Sequence, residues 1–308
     1  MNVKNKILAA CLMALIAEAT AQVPVDGIHY QVGQNGIGDS SLPAPGIYLR
    51  DNNWFYYGTG GGLQNYKTFE YVQSPQLMWI TDWKILGANL GMDLEIPIIN
   101  RQASYNIPAS GQAISVSQEN FGLGDIKLEP LLLSWRQEHF DVTAGYALWV
   151  PSGEYSAESI ANLGDDEWSH MLTLGGIWYP DKKKSWAISI LHHYEFNSSQ
   201  VGAVSSGGRG FLTHQKVLCS SYTLEWSVSK VVLTNMNLGF FGYYQKQFTS
   251  SSQAVNVFSD SEVAGIGPEI EAKIPSWDLA ASLRYGYEFE AYHRPQGHVV
   301  TFSIAKKF

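Results

Sequence analysis

The sequence predicts an all-β protein, a transmembrane antiparallel β-barrel of about 12 strands. Three observations lead there. Apolar and polar residues alternate with period two in run after run. Short links between the runs take turns with longer ones, and tryptophans gather at the run ends beside the short links. Beyond the leader no segment is long and apolar enough for a transmembrane helix, which excludes a helical bundle. A barrel stays open, because alternating strands average to near-neutral hydropathy, here a mean of −0.11. A secreted soluble β-protein is the competing class.

Residues 1–21 read as a secretory signal peptide: Lys4 and Lys6, an apolar run from Ile7 to Ala17, and a cleavage pattern at Ala19-Thr20-Ala21. The run is short of the roughly 20 apolar residues of a membrane span. Leu8-Ala9-Ala10-Cys11 resembles a lipobox but sits too near the start to leave a usable apolar stretch. Residues 22–45, QVPVDGIHYQVGQNGIGDSSLPAP, carry Gly and Pro without alternation. Two placements are open for them, a periplasmic tail or a plug folded into the lumen.

The barrel is expected over 46–308. The clearest alternation lies in 86–98, 139–150, 186–196, 218–228 and 277–289, and the terminal run is 297–308. Weaker runs are 46–58, 68–82, 122–136, 168–179, 235–247 and 262–274. Several exceed the usual strand of five or six residues and match the roughly 9–11 that cross a bilayer at a tilt. An even count puts both barrel ends on the periplasmic side.

Short links are expected around Trp83-Lys84, Gln137-Glu138, residues 180–184, residues 229–233 and Pro275-Ser276. Longer surface loops are expected at 59–67, 99–121, 151–167, 197–213, 248–261 and 290–296. Trp83, Trp135, Trp178, Trp186, Trp226 and Trp277 then form one interfacial girdle, and Trp149 and Trp168 belong to the other.

The chain is acidic, with a formal net charge of −8, which argues against nucleic acid as a partner. Cleavage of the leader leaves Cys219 as the single cysteine, so no internal disulfide forms.

The stretches GLGDIKLEPLLLSW (122–135), AGYALWVPSGEYS (144–156), NLGDDEW (162–168) and GGIWYPDKKKSWAISILHHYEFNS (175–198) together resemble the meta-pathway phenol degradation family of outer-membrane proteins. GFFGYYQKQ (239–247), GIGPEIE (265–271) and YEFEAYHRPQGHVVTFSIAKKF (287–308) continue the likeness. IHYQVGQNGIGDSSLPAPGIYL (28–49) is similar to the opening of its SphA-like porin subgroup. The resemblance implies a channel or porin-like barrel of the Gram-negative outer membrane, not a phenol-degrading enzyme, and a cargo of hydrophobic or aromatic small molecules. A structural or adhesive barrel with a blocked lumen is the alternative, and an outer-membrane hydrolase a more distant one.

With the apolar parity toward lipid, the other parity lines the lumen: Asp93, Glu95, Asp141, Thr143, His193, Glu195, Glu225, Tyr243, Gln245, Glu269, Glu271, Arg284, Glu288 and Glu290. Two roles compete for these mostly acidic groups. They brace the barrel by pairing with Arg284, Lys127 and tyrosine hydroxyls, or they select cations and neutral solutes. Specificity is expected to come from these side chains and from loops 99–121 and 197–213.

Asp125, beside Gly122 and Gly124, and the Pro151-Ser152-Gly153 turn flank long loops, where Asp125 can accept backbone N–H groups. A calcium or ligand site from Asp125, Asp165, Asp166 and Glu167 is the lesser alternative, since no EF-hand or nonapeptide spacing is present. No metal, cofactor or catalytic set is expected. None of the eight histidines stands two residues before a serine as barrel phospholipases require, and His192 and His193 point to opposite faces of one strand. The expected partners are outer-membrane lipid, the small solute, and the barrel assembly machinery through the terminal Phe308. Lys306 departs from that terminal signal and is expected to snorkel to water.

Overall fold

The computed structural model describes residues 28–61, 64–109, 112–156, 159–200, 219–249 and 261–308. The leader and most of loops 197–213 and 248–261 lie outside the described residues.

The strands are β1 (Gly46–Gly60), β2 (Lys67–Ile85), β3 (Ala88–Glu95), β4 (Ile98–Ala109), β5 (Gln112–Leu123), β6 (Ile126–Arg136) and β7 (Phe140–Val150). They continue with β8 (Glu167–Trp178), β9 (Trp186–Gln200), β10 (Cys219–Leu233), β11 (Met236–Thr249), β12 (Glu262–Ile274), β13 (Leu279–Tyr292) and β14 (Pro295–Lys307). β3 and β4 pair in succession with β2, Glu95 opposite Gln76 and Ile98 opposite Gln73, so they form one interrupted stave. β5 and β6 form another, because Leu123 stands opposite Ile98 and Lys127 opposite Glu95. The result is a closed antiparallel barrel of 12 staves.

Both interruptions have a local cause. Pro97 lacks an N–H and cannot continue a ladder, and its carbonyl instead accepts the N–H of Gly124 at 2.9 Å, across the break in the neighbouring stave. Closure is complete at the seam, where β1 pairs with β14 from Tyr48 opposite Lys307 to Gly60 opposite Pro295. A barrel in lipid must leave no open edge of N–H and C=O groups.

Period two decides the faces. On β8, Leu172, Leu174 and Trp178 are exposed outward while Ser169, Met171 and Thr173 are buried inward. On β13, Leu283, Tyr285, Tyr287 and Phe289 face out, and Arg284 and Glu288 face in. The core therefore sits in the lumen. Its largest cluster joins Trp54, Tyr56, Val72, Ile99, Phe241, Tyr243, Val263 and Val299 around Val32.

Several expectations are corrected. Residues 99–121 are mostly the β4–β5 hairpin, whose strands continue past the lipid belt where both faces are wet and alternation is not demanded. The link at 290–296 shrinks to His293-Arg294. The β2–β3 turn falls at Leu86-Gly87, both at positive φ (51° and 86°), because β2 outlasts its alternation through an irregularity between Ile80 and Lys84. Trp149 is not a girdle residue but points inward, and Trp226 lies well inside β10 rather than at its end. Glu290 is exposed, since the ladder slips between Ala264 and Gly265 near the end of β13.

Trp83, Trp178 and Trp186 are exposed at strand ends beside the short links, and Trp277 is exposed in the 3-10 turn between β12 and β13, as an interfacial girdle requires. At the C-terminus Lys306 Nζ donates to the Trp277 carbonyl at 2.6 Å, and the Phe308 N–H donates to the Ile47 carbonyl at 2.9 Å.

Candidate functional site: the barrel lumen

Residues 28–45 run through the barrel and touch the inner face of most of its staves. The reason lies in the wall. A stave that alternates for lipid on one side leaves its polar residues inside, and acids buried there must find donors. Much of what they find is the main chain of this segment.

Glu195 accepts the N–H groups of His29 (2.9 Å) and Tyr30 (3.1 Å). Glu225 accepts the Tyr30 hydroxyl and the N–H of Gly33 at 2.8 Å. Glu269 accepts the N–H of Ile37 at 2.9 Å. Donors from the wall complete the lock: Trp54 Nε1 to the Val32 carbonyl (2.9 Å), Gln245 Nε2 to Tyr30 (3.0 Å), Thr301 to Gly33 (2.9 Å), Thr143 to Ser40 (2.9 Å), and Arg136 to Leu42. A glycine is needed where the segment meets β12, since a Cβ on Gly36 would fall on the Glu269 carboxylate.

Arg284 is the guanidinium enclosed deepest in this region among the described residues, at 1% side-chain exposure. It stands opposite Glu269 across the β12–β13 ladder and pairs with it at 3.2 Å, pairs with Asp39 at 3.3 Å, and donates to the Gln34 carbonyl. Burial opposes ionisation of Asp39. Arg50 and Arg284, with the N–H of Gly36, outweigh it and hold its carboxyl below the ordinary value. Tyr30 moves the other way: burial, and then the Glu225 charge, push its hydroxyl well above the usual tyrosine range.

The remaining expected residues fall into separate groups. Asp93 and Glu95 gather with Glu129 around Lys127, nearest at 3.0 Å from Glu95. Asp141 accepts the hydroxyls of Ser41 (2.8 Å) and Tyr179 (2.9 Å) and lies 3.8 Å from Lys184. His193 bonds Thr173 at 3.0 Å and lies against the Tyr30 ring. Glu288 accepts the Tyr56 hydroxyl (3.0 Å) and the Gly297 N–H (2.7 Å), with Arg294 at 3.9 Å. Glu271 pairs with Lys273 at 3.1 Å, next to Glu269 on the same face of β12.

A second group was visible in the sequence only through its acids Asp125 and Asp165, and not through its histidine. His29 places Nδ1 2.9 Å from Glu195 Oε1 and Nε2 2.9 Å from Asp125 Oδ2, and its ring lies against Trp149. Asp125 also accepts the N–H groups of Ser152, Gly153 and Asp165 at 2.7–2.9 Å, so three glycine-bearing motifs far apart in sequence meet at one carboxylate. Of the four acids weighed for a cation, Asp125 and Asp165 come together, Glu167 turns to Asn197, and His29 takes the remaining place. Burial alone would lower the His29 pKa. Asp165, then Asp125 and Glu195, override it and raise it well above the usual histidine value.

Between residues 28–34 and the wall formed by β1, β2, β4 and the start of β6 lies a cavity of about 160 Å³. Trp54, Tyr56, Val72, Ile99 and Trp149 give it an apolar side. Gln31, Gln34, Arg101, Lys127 and Arg294, with the carboxylates of Glu70, Glu95, Asp125 and Asp165, give it a polar one.

The fold is shared with solved barrels. An outer membrane channel of the COG4313 type from Pseudomonas putida F1 superposes with a TM-score of 0.69 at 13% identity, covering 88% of this chain and 98% of that one. The beta domain of the Bordetella autotransporter BrkA gives 0.53 at 10% identity, covering 86% and 100%. No curated protein matches the chain in sequence. The model of the family described as "Putative MetA-pathway of phenol degradation" matches residues 53–304, β1 to β14 of this barrel, and the chain belongs to that family.

Proposed function

We propose that the protein is an outer-membrane channel for uptake of hydrophobic or aromatic small molecules, with residues 28–45 as a plug that shifts to let them pass. The observation that carries this reading is the cavity beside the plug. Its volume of about 160 Å³ is close to the roughly 150 Å³ apolar cavity that holds one benzene. Its lining, aromatic on one side and bearing amide groups and paired guanidinium and carboxylate groups on the other, suits a ring with a polar, uncharged substituent. The family and the fold support a channel. On this reading the leader is cleaved during export, the belt of exposed Leu, Phe, Tyr and Trp meets outer-membrane lipid, and no covalent chemistry is done.

A blocked structural barrel is the second reading. The number of hydrogen bonds between wall and segment favours it, because a plug held so widely resists movement.

Liposome swelling separates the two. Purified protein and a variant lacking residues 28–42 are compared on benzoate-type acids, phenols, a sphingoid base and sugars. A channel admits aromatic solutes ahead of sugars of equal mass in the full-length form, and loses that preference on deletion. A full-length barrel that passes nothing, with a deletion variant that passes everything, contradicts the proposal and supports the blocked barrel.

A further inference from the structure

The group around His29 has the layout of a metal centre. His29 Nε2, Asp125 Oδ2 and Asp165 Oδ2 each offer one ligand atom to a common point, all within 4.8 Å of one another. His29 Nε2 lies 2.9 Å from the Asp125 oxygen and 3.6 Å from the Asp165 oxygen. Bonds of about 2.0 Å in a tetrahedron put ligand atoms about 3.3 Å apart, and the two observed separations bracket that figure.

The surroundings of the three ligands point the same way. A metal-bound histidine usually gives its other ring N–H to a carboxylate, which fixes the tautomer and the ring plane. His29 does this with Glu195 at 2.9 Å. Asp125 is held in place by the N–H groups of Ser152, Gly153 and Asp165. The group also borders the cavity, so a fourth coordination position can be filled by water.

Charge argues for a divalent ion over a proton. Asp125, Asp165 and Glu195 surround one imidazole. A proton on His29 offsets one of those three charges and a divalent cation offsets two. Chemistry selects the ion class, since an imidazole with two carboxylates suits zinc or a similar first-row ion, whereas calcium wants six to eight oxygens.

We infer that His29, Asp125 and Asp165 form a binding site for a divalent transition ion of the zinc class, with Glu195 orienting the histidine. The ion joins three parts of the chain: the segment at His29, the β5–β6 break at Asp125, and the loop at Asp165. It is a clasp between the interior segment and the extracellular-side loop.

The test uses untagged full-length protein folded in detergent, titrated with Co2+ and followed by visible absorption. One Co2+ per chain with intense tetrahedral bands, displaced by Zn2+ and not by a tenfold excess of Ca2+, is expected. Glu195→Gln is expected to weaken Zn2+ binding by about 10–100-fold, the range for loss of an orienting group, Asp165→Asn, which removes a ligand, by at least as much, and His29→Ala to abolish it. Heat-modifiable gel migration checks that each variant is folded. If His29→Ala does not fold, the other two variants carry the result, because Asp165 lies at the rim and Glu195→Gln keeps the side chain's shape. No tetrahedral spectrum in the unaltered protein, or Zn2+ binding unchanged in Asp165→Asn and Glu195→Gln, overturns the proposal and leaves a histidine ion pair. The readout is independent of solute passage.

Discussion

Gly36 stands so close to Glu269 that a Cβ on it would lie 2.1 Å from Oε2 and 2.6 Å from the carboxyl carbon. The Ile37 N–H on which that carboxylate closes is the adjacent one. Gly36→Val is therefore expected to push the segment off β12 at a cost of about 1–3 kcal/mol, the usual range for overpacking. A lower urea midpoint in detergent, with a thiol at Ser40→Cys becoming open to labelling, is the measurement. An unchanged midpoint with no labelling would mean that the segment has room to spare.

Arg284→Met is expected to destabilise by about 3–5 kcal/mol, because Glu269 and Asp39 lose their buried cation. Adding Glu269→Gln should restore part of the loss. A double-mutant cycle on the unfolding midpoint reads the coupling directly, and simple additivity would contradict the pairing.

Asp39 supplies the pH dependence. Its folded pKa lies below the ordinary 3.8, so its contribution is fully present above that value and fades as pH falls through the folded one. Labelling at Ser40→Cys with dithiodipyridine, a disulfide reagent that protonation activates in acid, should stay slow at pH 5 and rise only below about 3.8. Asp39→Asn should remove the step. A rise already complete at pH 6 would assign the response to other groups.

On the outer face, Leu174 sits mid-stave and exposed on β8. Leu174→Arg should cost about 2–4 kcal/mol if that face meets the bilayer midplane, against almost nothing for Leu174→Phe. Comparing folding equilibria in lipid vesicles with those in detergent tests this, since the penalty belongs to the hydrocarbon.

Phe308 is exposed and its one hydrogen bond is made by its backbone N–H. Removing it should leave refolding into detergent unaltered and lower the folded fraction in cells, as expected of a residue read by the assembly machinery. Equal defects in both settings would make the residue structural.

The outer architecture was legible because the bilayer enforces it. The runs 46–58 and 297–308 match β1 and β14 to within two residues at each end, as one face had to be apolar throughout. The hairpin at 98–123 was not legible, because strands beyond the lipid belt carry polar residues on both sides. Inside, the inward parity of Asp93, Glu195, Glu269 and Arg284 was visible, and their partners were not. A bond from the Ile37 N–H to Glu269 spans 232 positions and leaves no side-chain pattern. The single trace was the glycine run Gly33, Gly36, Gly38, which allows main chain to approach a wall. His29 gave no signal, since its carboxylate neighbours are scattered over β9, the β5–β6 break and a loop.

The seam between β1 and β14 has a consequence for how the molecule is made. The segment that fills the lumen is continuous with β1, and β1 is the stave that the last strand must find. Zipping the cylinder shut and packing its interior are thus one event at one place. A sheet that closed on nothing would enclose Glu195, Glu225 and Glu269 without the main-chain N–H groups that donate to them. The empty tube is then a high-energy detour.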